Sequence, residues 1–133
     1  MTYLGPERSR YFYAARSLRD AGALIAGGSN WDVSSFNAFA AMEHVVTRAE
    51  ARDKPPLLPE QSIRIQDAVD AYTINAAYAL KQESTTGSLE LGKRGDFIIL
   101  DRDIFALDPF DLHNTRVLAT YLAGREVYAT KKK

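Results

Sequence analysis

From Thr85 to Asp101 the chain reads Thr-Thr-Gly-Ser-Leu-Glu-Leu-Gly-Lys-Arg-Gly-Asp-Phe-Ile-Ile-Leu-Asp, and this segment says more about the architecture than any other. The apolar run Phe97-Ile98-Ile99-Leu100, closed by Asp101, has the length and composition of a short strand. Gly87, Gly92 and Gly95 precede it, and Gly92-Lys93 is a turn signal. A phosphate-binding loop would need a Gly-Lys-Ser/Thr step opening a helix. Neither follows here, so these are turn glycines of β structure. Downstream, Arg116–Leu122 and Arg125–Ala129 read as two more strands, and the two residues between them, Ala123-Gly124, suggest a hairpin. Ile104–Leu112, with Pro109, is read as the loop before them.

Upstream the period changes. Pro6-Glu7-Arg8 looks like a helix start. Tyr11, Ala14, Ala15, Leu18 and Ala21 recur at helical spacing, and Gly22 stands where a C-cap belongs. The short run Ala23-Leu24-Ile25-Ala26, followed by Gly27-Gly28-Ser29, favours a buried strand leaving into a loop. Helix then buried strand is half of a parallel α/β unit. Asn30–Ser35 form the loop. A second helix, capped by Ser35 or Asn37, carries Phe36, Phe39, Met42, Val45 and Val46 on one face. It fades in the charged run Arg48–Lys54 and is stopped by Pro55, Pro56 and Pro59, the most plausible linker. Ser62–Tyr72 reads as a third helix and Ala76–Lys81 as a short fourth. Tyr72, Tyr78 and Phe97 are expected to pack helix against sheet.

The 133 residues suffice for one domain and fall short of the ~250 that a complete α/β barrel needs. Lys+Arg and Asp+Glu number 17 each, so there is no basic surplus to attract nucleic acid or a membrane surface. The tail Lys131-Lys132-Lys133 is read as a solvated terminus. With no Cys there is neither a disulfide nor a thiolate metal site. The sequence shows no signal-peptide core and no run long enough to span a membrane, so a cytoplasmic location is the expectation.

The run Gly87-Ser88-Leu89 through Gly92-Lys93 to Asp96 and Asp101 resembles the returning C-terminal segment of metal-dependent amidohydrolases, with Gly95 where the family usually has Ala. Other pieces fall in the same order. Leu4–Arg8, Arg16-Ser17-Leu18 and Asp20-Ala21-Gly22 resemble the last barrel helix of the amidohydrolase family 3 branch, which holds exoenzyme-regulatory-type and imidazolonepropionase-like proteins. Gly28-Ser29-Asn30-Trp31-Asp32-Val33-Ser34-Ser35 resembles that branch's loop after the eighth barrel strand. Ala71–Leu80 resembles a helix that follows, and Leu100–Phe105 with Thr115-Arg116-Val117 complete the likeness. The resemblance implies an α+β fold: a remnant of the last α/β unit of a TIM-like barrel, then C-terminal strands of the family's composite β-sandwich. Residues 1–54 would be the end of the barrel, 55–86 a Pro-rich linker with helices, and 87–133 the sandwich segment.

The chemistry implied is hydrolysis of carbon–nitrogen bonds in small molecules, with one or two zinc-like divalent metals activating water and an Asp after the eighth strand as base. Here Asn30 stands at the position of that Asp. An amide has no charged proton-accepting form at neutral pH, so it cannot replace a carboxylate base, although it could hydrogen-bond a substrate. Asp32, two residues on, is the other catalytic candidate, as a displaced base; a turn with Ser34 or Ser35 is the plainer reading. Trp31 is either a pocket wall or packing beneath the loop. His44 and His113 are isolated and are read as helix and turn histidines, so no metal site and no cofactor are expected within this chain. Asp101 and Asp103 flank Arg102 as solvated turn charges.

The sequence thus points to the C-terminal fragment of an amidohydrolase-like protein, inactive by itself and completed by a missing N-terminal barrel segment or held as a homo-oligomer. The alternative is a free-standing, oligomeric α+β binding or regulatory module without catalysis.

Overall fold

The computed structural model describes residues 3–131, so Lys132 and Lys133 of the basic tail lie outside the described residues. The elements are α1 (Gly5–Ser9), α2 (Ala15–Asp20), α3 (Ala38–Thr47), a 3-10 turn (Pro59–Gln61), α4 (Ile65–Tyr72) and α5 (Ile74–Ala79). Then follow β1 (Phe97–Leu100), a 3-10 helix (Pro109–Asn114), β2 (Val117–Leu122) and β3 (Arg125–Ala129). The strands form one antiparallel sheet in the order β1-β2-β3. Among the described residues no helix is long and apolar enough to cross a membrane.

The first expected helix is two. Tyr13 takes a left-handed backbone, φ 52°, and the Arg48 guanidinium donates to the carbonyls of Phe12 at 3.0 Å and Tyr13 at 3.2 Å. The Tyr13 carbonyl also accepts from Ala15 N at 2.7 Å, a tight turn outside the helical i to i−4 pattern, and the periodic stretch splits there. After α2, Gly22 (φ 87°) ends the helix as expected. Its N–H donates to the Arg19 carbonyl at 2.8 Å, and that of Ala23 to the Leu18 carbonyl at 3.0 Å. This is the paired closure that satisfies the last carbonyls.

The strand expected at Ala23–Ala26 is not formed. These residues belong to no ladder and are mostly exposed. A strand exists only with a neighbour to take its N–H and C=O groups. Here the segment is tied instead to the helices that follow. Gly27 N–H donates to the Ala71 carbonyl at 2.8 Å, and Asn75 Nδ2 donates to the Ile25 carbonyl at 3.2 Å.

Asn37 begins α3: its Oδ1 accepts from Phe39 N at 3.0 Å and Ala40 N at 3.3 Å. The helix buries Met42 against Ile63 and Ala68, with Phe39, Val45, Val46, Ile65, Val69 and Tyr72 packed around them. Phe36 is excluded from this face and lies exposed. The third helix begins at Ile65 rather than Ser62; Asp67 accepts from Arg64 N at 3.1 Å and so holds that start. The fourth begins at Ile74, two residues early, and Tyr78 faces solvent instead of the sheet.

Phe97 and Tyr121 face each other across β1 and β2, their rings stacked 4.5 Å apart. The hairpin turn puts Ala123 (φ 49°) and Gly124 (φ 74°) both in the left-handed region, the geometry that matches strand twist. The segment before β2, expected as loop, contains the 3-10 helix Pro109–Asn114, started by Asp108, whose side chain accepts from Phe110 N at 3.0 Å. Its Leu112 is fully buried.

Two ties join the helical part to the sheet part. The buried Glu43 of α3 accepts from His113 N at 2.9 Å and lies 2.7 Å from His113 Nδ1. Arg52 pairs with Asp108 at 2.7 Å and lies over the Phe110 ring, 5.1 Å from its centre.

Candidate functional site

The segment from Ser29 to Phe36 is a turn held by its own hydroxyls. Ser29 Oγ accepts from Trp31 N at 3.2 Å, and Ser35 Oγ accepts from Asn37 N at 3.2 Å. The Asn30 carbonyl accepts from Val33 N at 2.9 Å. Asn30 sits at φ 52°, a backbone region that Asn and Asp enter more readily than other residues with side chains. Local geometry alone therefore favours Asn or Asp at this position, before any chemistry is asked of it. Asn30 and Asp32 are both exposed, two residues apart on one turn. Asp32 makes none of the side-chain bonds that close the turn; among the described residues Ser29 and Ser35 make them. Trp31 does not pack beneath the loop. It is exposed and meets Phe36 edge-to-face, with ring centres 5.4 Å apart.

Beside the turn, a cleft of about 980 Å³ is lined by residues of α2 and α3. Leu18, Ile25, Ser35, Ala41, Val45 and Leu57 are among the residues that line it. His44 also faces this cleft, its Nδ1 2.6 Å from the Ala40 carbonyl. A carbonyl only accepts, so Nδ1 carries the proton in that contact. His113 is spent on Glu43 across the fold. Among the described residues no group of three His, Cys, Asp or Glu side chains converges in a way that could hold a metal. The donor set of the described residues does not fit a catalytic metal, and no step through one is assigned to them.

The strongly perturbed acids lie elsewhere. Hydrogen bonds from Arg64, then from Arg19, hold the Asp67 carboxyl well below the usual carboxylate range, against the opposing effect of its burial. Asp101 is lowered to about 2, first by hydrogen bonds from Arg102 and next by the Arg116 backbone N–H. Both sit in ion-paired joints: Asp67 bridges α2 and α4, and Asp101 ties the end of β1 to the start of β2. Sequence reasoning missed Glu43. An acid between Met42 and His44 on a helix face that turns inward was its one signal.

Residues 1–128 match the Amidohydrolase family. The chain belongs to the amidohydrolase family. It corresponds to the C-terminal portion of that family's proteins. It is 35% identical over 126 residues to the protein LONG AFTER FAR-RED 3 of Arabidopsis thaliana, covering 94% of this chain and 21% of that one. It is 33% identical over 112 residues to an N-substituted formamide deformylase of Arthrobacter pascens (84% and 20%). With a probable imidazolonepropionase of Danio rerio it shares 38% identity over 120 residues (89% and 25%). An amidohydrolase from Thermotoga maritima MSB8 has a similar fold, TM-score 0.65 at 22% identity, over 87% of this chain and 26% of that one. The chain thus spans a fifth to a quarter of the length of these three relatives.

Proposed function

We propose that this chain is the closing part of an enzyme that hydrolyses a carbon–nitrogen bond in a small molecule, most simply an amide. Two relatives support the reading by their names, an N-substituted formamide deformylase and an imidazolonepropionase. The single observation that carries it is the turn 29–35, which sets Asn30 and Asp32 on an exposed, hydroxyl-braced loop directly before α3. In this reading residues 1–54 close the barrel after its eighth strand, 55–86 connect, and 87–133 contribute strands to the composite sandwich. The unpaired segment Ala23–Ala26 becomes a strand when its neighbours are present. A zinc-like divalent metal would belong to the remainder of the fold, since no fitting donor set converges among the described residues. The chain alone is therefore inactive. The reading keeps a cytoplasmic location, and zero net charge supports the part of it in which the protein engages neither nucleic acid nor a membrane surface.

The test is complementation. The chain alone, and the chain co-folded with the N-terminal three quarters of a related amidohydrolase, are assayed for amide hydrolysis. Activity only in the assembly is the expected result; hydrolysis by the chain alone, or none in a stable assembly, rejects the reading. In an active assembly Asn30→Asp should raise turnover by about 10²–10⁴-fold, the usual worth of a placed general base. No gain, with a large loss on Asp32→Ala, would instead make Asp32 the base.

A second reading is a free-standing oligomeric module that binds a ligand without cleaving it. The ties between helical and sheet parts, Glu43–His113 and Arg52–Asp108, favour it, because they would hold the two together without a barrel.

A further inference from the structure

Of the large apolar side chains that the described residues leave in solvent, three lie together on the turn before α3. Trp31 is 68% exposed, Val33 82% and Phe36 74%. None belongs to the core around Met42, Ile63 and Ala68. Trp31 and Phe36 nevertheless meet each other in a defined T-shaped pair, with ring planes at 80°. The backbone beneath them is pinned at Ser29 and Ser35, and Asn37, next to Phe36, is locked as the cap of α3. A braced aromatic pair facing water gives flat, rigid apolar area that loses little freedom when something settles on it.

The neighbouring chemistry restricts what that is. Asn30 precedes Trp31 on the same turn and offers an uncharged carbonyl and an NH2 group, complementary to the N–H and C=O of an amide. We propose that Trp31 and Phe36 form an apolar ledge that receives the aromatic or bulky hydrocarbon substituent of a neutral amide, whose polar group meets Asn30. The ledge thus selects N-aryl or similarly substituted amides over small aliphatic ones. This deepens the hydrolase reading and rests on it for the identity of the ligand as an amide. The ledge itself is a property of this chain and can be tested without catalysis.

Trp31 is the sole tryptophan among the 133 residues, so a single indole N–H cross-peak reports on the site in a ¹H–¹⁵N spectrum of the full chain. Acetanilide, titrated into the millimolar range, should shift that peak and the Asn30 side-chain amide saturably, while N-methylacetamide should not. Phe36→Ala should weaken the acetanilide response about tenfold. Phe36 is exposed, and the spectrum itself verifies that the variant folds. An unmoved indole peak, or equal responses to the two amides, overturns the ledge. So does an indole already shielded from acrylamide quenching in the unliganded chain, which would mean that another copy covers this face. Failure of the complementation assay with a saturable acetanilide shift would reject the hydrolase reading and leave the ledge standing. Success of that assay with no shift would do the reverse.

Discussion

Asn30 and Asp101 show how differently two polar residues are used in this chain. Asn30 occupies a left-handed position that its side chain tolerates, and it is free to face a ligand. Asp101 is consumed by structure. Its carboxylate accepts from Arg102 and from the Arg116 backbone, and its pKa falls from 3.8 to about 2. A carboxyl with a lowered folded pKa adds stability above its unfolded value and loses it as pH drops through the folded one. Stability should therefore fall as the pH drops from about 4 towards 2, with Asp67 acting in the same direction. Urea midpoints across that range should fall less steeply for Asp101→Asn than for the parent chain. Equal slopes would remove Asp101 from the account. At Asn37 the expectation is a cost of about 1 kcal/mol for Asn37→Ala, since two N–H groups of α3 lose their acceptor. The same urea unfolding measures it.

Between elements, the joint of α3 with the 3-10 helix 109–114 decides whether the helical and sheet parts hold together. Glu43 is buried and accepts twice from His113. Glu43→Ala removes the charged acceptor of two His113 donors and should cost about 1–3 kcal/mol, whereas Glu43→Gln keeps an accepting oxygen and should cost less. If the two variants unfold at the same urea concentration, the hydrogen bonds are not what the joint relies on. A second element-scale expectation concerns the turn after α5. Gly87 has φ 90°, and an added Cβ would lie 2.6 Å from Ala77 Cβ and 3.0 Å from Ile74 Cα. Gly92 has the same backbone sign, yet nothing lies within 4 Å of its would-be Cβ. Gly87→Ala should then lower the thermal midpoint clearly more than Gly92→Ala, because it adds overpacking of about 1–3 kcal/mol to the backbone cost. A smaller drop for Gly87→Ala would mean that α5 moves aside.

The molecule as a whole leaves much of its sheet uncovered. Every residue of β3 is exposed, and Ile98, Ile99, Leu118 and Leu122 face solvent on the other two strands. A three-stranded sheet with both outer edges open invites a further strand or layer. We expect the isolated chain to self-associate at micromolar concentration. Light scattering should give a mass above the monomer's, and the added N-terminal portion of the fold should displace that association. A single monomeric species with cooperative unfolding would instead favour the free-standing module.

Much of this protein is written locally. Asn37 caps α3, Gly22 closes α2, and Ala123-Gly124 turns the hairpin, because each depends on the backbone preferences of one or two residues. The motifs at Gly28–Ser35, Ala71–Leu80 and Gly87–Asp101 placed the chain among the amidohydrolases for the same reason: short contiguous patterns survive reading in one dimension. Tertiary structure decided what depends on partners far along the chain. Arg48 clasps the break between the first two helices at Tyr13 from 35 residues away. Glu43 found His113 across 70 residues. The candidate turn was legible at Asn30 and Asp32, but whether Trp31 lay under the loop or on it depended on whether the core had room, and the core had closed around Met42 without it. Ala23–Ala26 had the composition of a strand and lacked a neighbour to pair with. Composition belongs to a segment by itself, whereas a ladder belongs to two.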